Sequence, residues 1–83
     1  MSKRIITVWS ITNAELQRLQ KLASAAGDFE MAAIAELARV GEFDGDDWIL
    51  DARERRRVSA MTQREALVRC VELMKELIKN SED

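Results

Sequence analysis

Two tetrapeptides, Thr12-Asn13-Ala14-Glu15 and Thr62-Gln63-Arg64-Glu65, constrain this chain more than any other feature. In a Thr-x-x-Glu box the threonine hydroxyl accepts from the backbone amide three residues on. The glutamate carboxylate reaches back to the threonine amide, so two orphan donors of a new helix are satisfied together. Ile11 and Leu16 flank the first box where a hydrophobic staple would lie, and Met61 and Ala66 flank the second. Glycines at 27 and 41 supply stops, and the 83 residues contain no proline to break a helix elsewhere.

These signals predict four helices. The first runs from about 13 to 26, with Leu16, Leu19, Leu22, Ala23 and Ala26 on one face. Gly27 ends it and Asp28 caps the next, a junction so short that the two helices must fold back as a hairpin or cross steeply. The second, about 29 to 40, carries Phe29, Ala33, Leu37 and Val40 on a stripe that Ile34 and Ala38 widen. A short third helix is expected over 47–58, capped by Asp46 or Asp47 and containing Trp48, Ile49 and Ala52. It should fray near Ser59. The last helix, 63–79, has the cleanest period, with Leu67, Cys70, Val71, Met74, Leu77 and Ile78 at helical spacing. That seam suits either a core or a dimer interface. Asn80 to Asp83 reads as a polar tail.

Residues 1–11 are expected to be extended. The β-branched run from Arg4 to Ser10 would need a partner strand, and none is visible, so an apolar strap against the helices is the favoured arrangement. The expected fold is therefore an all-α single domain of about four helices. A chain this short buries only ~60% of its unfolded surface, which leaves one modest core.

Composition narrows the chemistry. Histidine is absent, which removes the commonest general base and the commonest metal ligand. Ser–His and Cys–His nucleophile pairs are unavailable within the chain. One cysteine, Cys70, permits no internal disulfide and sits on the apolar stripe of the last helix, as an inert core thiol would. No apolar run approaches membrane-spanning length, and the start is too polar for a secretory signal, so a reduced cytoplasmic protein is expected. No catalytic residue, cofactor or metal is expected. The acidic stretch Glu42, Asp44, Asp46, Asp47 and Asp51 lacks the central glycine register and distant glutamate of a calcium loop, because Gly45 falls too early.

Charge is segregated. Lys3, Arg4, Arg18 and Lys21 against Glu15 give residues 1–27 a net of +3, whereas residues 28–51 set Arg39 against eight acids for −7. Residues 52–79 return to +4, although the whole chain carries only −2. The run Arg53, Arg55, Arg56 and Arg57 has two readings. In the last turn of the third helix these cations would complement the helix dipole, and Asp51 could pair with Arg55. Alternatively, with Arg64 and Arg69, they form a contact patch for phosphates or an acidic protein. Four near-consecutive residues of a helix point in several directions, which favours the first reading. Trp9 and Trp48 are expected in the core, and Trp48, if exposed, is the best interface anchor.

The stretch from Ile11 to Gly41, through Ala26-Gly27-Asp28, Met31 and Ile34, resembles short uncharacterised helical proteins of bacterial phages, plasmids and other mobile elements. The resemblance covers about a third of the chain and implies a mobile-element context. Arg4 to Ala26 also has the cadence of ribbon-helix-helix repressors, but Gly27-Asp28 leaves no room for their longer turn. Thr7 or Trp9 stands where polar base-readers would be expected.

The function expected from these features is a small non-enzymatic interaction module, a regulatory, accessory or inhibitor protein that binds a partner protein. The residues expected to carry it are Trp48, Arg53, Arg55, Arg56, Arg57 and Arg64. The alternative is a dimeric DNA-binding regulator using its basic segments on the phosphate backbone. A homodimer fits either reading, nucleic acid is the weaker partner, and no membrane partner is expected.

Overall fold

The computed structural model describes residues 5–45 and 48–81. Four helices follow one another: α1 (Asn13–Ala25), α2 (Phe29–Val40), α3 (Ala52–Ala60) and α4 (Gln63–Ser81). Among the described residues there is no strand, and the fold is the all-α bundle that the sequence predicts.

Helix α2 is the centre. It contacts α1, α3 and α4, and Met31, Ala32, Ala33, Ile34, Ala35, Leu37 and Ala38 are all buried. Alanine at four of these positions lets neighbouring backbones come close on more than one side, which a stripe of leucines would prevent. This corrects the expected single stripe. Phe29 and Val40, at the two ends of α2, are partly exposed, and on α1 Leu22 and Ala26 face outward.

The hairpin closes as its chemistry requires. Gly27 adopts φ +79°, its amide donates to the Ser24 carbonyl, and the Asp28 amide donates to the Ala23 carbonyl at 2.8 Å. That pair of bonds is a Schellman stop. The Asp28 carboxylate then accepts from the Met31 amide at 3.1 Å, so one residue ends α1 and begins α2. Gly41 ends α2 at φ +89° with its amide on the Leu37 carbonyl. The Gln63 side-chain amide crosses from α4 to the Ala38 carbonyl at 3.1 Å, capping α2 from outside.

The third helix starts later than expected. Trp48 and Ile49 precede it, and Asp51 rather than Asp46 or Asp47 is its cap; Asp46 and Asp47 themselves lie outside the described residues. The Asp51 carboxylate accepts from the Glu54 amide at 2.7 Å, and the Glu54 carboxylate accepts from the Asp51 amide at 3.0 Å. This third reciprocal box, built on aspartate, overrides the earlier acids, and α3 continues to Ala60 instead of fraying at Ser59. Helix α4 likewise extends to Ser81, into the expected tail. Cys70, Val71 and Met74 are buried within the bundle, so this stretch of the α4 seam is core. Farther on, Leu77 is partly exposed, and the molecule is drawn out to 44 × 24 × 19 Å.

The N-terminal segment is a strap with a turn in it. Ile6 is only 1% exposed, and Val8 and Ile11 pack on the core. Between them the Thr7 carbonyl accepts from the Ser10 and Ile11 amides, while the Thr7 amide donates to Ser10 Oγ at 2.9 Å. The segment is therefore not extended throughout, and residues 1–4 lie outside the described residues.

Candidate functional site

The four clustered arginines do not share one face or one set of contacts. Only Arg57 stands in the last turn of α3, because the helix begins at Ala52. Arg55 turns back under the preceding loop, donating from Nη1 to the Gly45 carbonyl at 2.7 Å and from Nη2 to the Leu50 carbonyl at 3.2 Å. Arg57 bridges to the first turn of α2, with Nε 2.7 Å from Glu30 Oε2. That carboxylate pushes the Arg57 pKa above its ordinary value, chiefly through the hydrogen bond. Arg53 and Arg56 remain exposed on the outer side of α3. The geometry follows from the helical period: with Val58 as the one buried residue of α3, steps of about 100° send the neighbouring arginines to different sides.

Of the two tryptophans expected in the core, Trp48 packs there and Trp9 does not. Trp48 packs against the core, and its indole N–H donates to Glu36 Oε2 at 2.9 Å, so it serves as a loop anchor rather than a free contact. Trp9 is 83% exposed at the tip of the Thr7–Ser10 turn. The Arg64 guanidinium lies over its ring, 5.2 Å from the centroid, within cation–π range.

Arg64 also borders an open surface groove. This depression, about 750 Å³, opens between the first turns of α2, the end of α3 and the first two turns of α4. Ile34, Ala60, Met61 and Val68 give it an apolar floor, and Glu30, Arg57, Arg64, Glu65 and Arg69 form its rim. Val68, 39% exposed, is the most open of the large apolar side chains there. The two rim acids are already engaged. Glu30 holds Arg57, and the Glu65 carboxylate accepts from the Thr62 amide at 3.0 Å, which lowers its pKa below the ordinary glutamate value. Among the described residues, no carboxylate pairs with Arg64 or Arg69. The rim is thus electropositive in effect although its formal charges nearly balance.

Several of these residues carry no separate signal in the sequence. Val68 lies beside the α4 stripe, and Met61 reads simply as a staple residue. The projection of Trp9 does have one: Thr7 and Ser10 are three apart, a spacing that lets short hydroxyls close a turn, in which Val8 packs inward and Trp9 projects.

Other chemistry is sparse. Cys70 is fully buried, and burial pushes its thiol up to about 11, leaving little thiolate at neutral pH. Among the described residues no three of the acidic or cysteine side chains gather as a metal site would need. No helix there is long and apolar enough to cross a membrane. No protein-family model, curated protein or solved structure matches the chain.

Proposed function

We propose that this protein is a non-enzymatic interaction module that binds a partner protein through the α2–α3–α4 groove, as a regulatory, accessory or inhibitor protein of a phage or mobile element. The observation that carries this reading is the open apolar floor around Val68, rimmed by Arg64 and Arg69, which pair with no carboxylate among the described residues, and flanked by the exposed Trp9. Apolar centres bordered by polar side chains, with tryptophan and arginine prominent, are the composition of binding hot spots. The chain has no histidine and its cysteine is sealed in the core, so the side chains at this groove are suited to contact rather than to proton transfer.

The alternative, a DNA-binding regulator, draws on the exposed Arg53 and Arg56. It is weakened because Arg55 and Arg57 spend their guanidinium groups within the fold. Affinity for a phosphate backbone scales with the number of phosphates neutralised, and of the α3 run only Arg53 and Arg56 are left for it.

Affinity capture from the native host tests the proposal. A protein retained at near-equal stoichiometry by the wild type and by Arg53→Ala/Arg56→Ala, but lost with Val68→Asp, is the expected result. A salt-dependent shift of random duplex DNA, abolished by Arg53→Ala/Arg56→Ala and indifferent to Val68→Asp, would favour the alternative.

A further inference from the structure

We infer that the occupant of the groove is an amphipathic helix of the partner protein, carrying carboxylates on either side of its apolar stripe. This deepens the interaction reading and rests on it. The argument is one of charge and shape.

The shape comes first. An extended peptide gains most of its affinity by adding a strand to a free sheet edge, and none exists among the described residues. The groove is lined by α2, α3, α4 and the connecting Met61 and Thr62, and helix side-chain ridges accept another helix. Along α4 it runs from Thr62 to Arg69, about 10 Å at helical rise, which matches two turns of a partner helix. Such a helix would set apolar residues at i, i+3 or i+4, and i+7 over Ile34, Met61 and Val68.

Charge then selects the flanks of that helix. Arg57 and Glu30 already satisfy each other, and Glu65 is committed to the α4 start. Of the rim cations, Arg64 and Arg69 have no carboxylate partner among the described residues, and they stand near opposite ends of the α4 wall. Arg64 is held in place by the Trp9 ring, so ordering it on binding costs little side-chain entropy. A partner helix with glutamate or aspartate next to its stripe would meet both arginines. One with lysine or arginine there would bury like charges together.

Two synthetic 18-residue helical peptides of identical leucine stripe, one flanked by glutamate and one by lysine, provide the test on the full-length protein. Amide shifts in two-dimensional NMR report the binding position. The glutamate peptide should move Met61, Val68 and Arg69 amides and the Trp9 indole, and bind roughly tenfold more tightly than the lysine peptide at low salt, with the gap closing as salt rises. Arg64→Glu/Arg69→Glu should invert the preference, and the milder Arg64→Gln/Arg69→Gln should erase it. Equal binding of both peptides, shifts elsewhere on the surface, or no binding of the glutamate peptide would each overturn the acidic-helix assignment. A partner still captured from the host and lost with Val68→Asp would leave the broader interaction reading standing in that event.

Discussion

The Arg55 guanidinium reaches the Gly45 carbonyl at 2.7 Å and ties α3 to the loop that precedes it. A second bond from the same group to the Leu50 carbonyl draws the loop toward the helix it leads into. The most conspicuous basic run of the chain is therefore partly an internal fastening. Its arginines have distinct tasks because a helix turns them to distinct sides.

Substituting them singly separates those tasks. Arg55→Ala leaves two carbonyls without their charged donor and should lower stability by about 1–2 kcal/mol. Arg57→Ala removes a bridge whose arginine is 56% exposed and solvent-screened, and should shift the midpoint less than Arg55→Ala does. Arg56→Ala should stay within about 0.5 kcal/mol of the wild type. Urea midpoints at constant slope give all three values.

The N-terminal strap predicts an asymmetry between two neighbouring apolar residues. Ile6 is almost fully enclosed and Trp9 almost fully exposed. Ile6→Ala should therefore destabilise by about 2–4 kcal/mol, as for other buried isoleucines. Trp9→Ala should leave thermal stability nearly unchanged while removing the ring beneath Arg64 at the edge of the groove. Emission from Trp9, measured in a Trp48→Phe background, should be that of a hydrated indole and readily quenched by iodide.

Much of this architecture is legible in the sequence. The two Thr-x-x-Glu boxes and the Gly27-Asp28 junction set helix starts and stops through local hydrogen bonds, which need no knowledge of the fold. The third box escapes notice because Asp51 begins it in place of threonine, and because earlier aspartates offer equally plausible caps. The roles of Trp9 and Trp48 depend on tertiary contacts, Arg64 for one and Glu36 for the other, that no local pattern encodes. The groove is illegible for the same reason: Ile34, Met61 and Val68 come from three separate stretches of chain.

Gly41 gives a backbone prediction. At φ +89° any side chain is strained, and a Cβ there would stand 3.3 Å from the Gln63 amide nitrogen that caps α2. Gly41→Ala should cost about 1–2 kcal/mol, more than the ~1 kcal/mol expected for Gln63→Ala, and a double mutant should show less than the sum. Chemical denaturation of the three variants checks the coupling.

Acid should loosen the helix starts. Amide donors hold the Asp51 and Glu65 carboxylates below their ordinary pKa values, the Glu54 amide in one case and the Thr62 amide in the other. A carboxylate depressed in the folded state contributes stability above its unfolded pKa and loses it as pH falls through the folded value. Stability should therefore decline below about pH 4.3. Glu65→Gln, whose amide oxygen can still accept from Thr62, should flatten part of that decline in a pH series of melting curves.

The claim that the groove around Val68 is where this protein meets its partner is tested most directly by photo-crosslinking in host cells. With a benzophenone amino acid in place of Val68, one discrete adduct with a second protein should form, and the same probe at exposed Lys21 on α1 should give none. A clean protein at position 68, or the same adducts from both positions, would contradict the account.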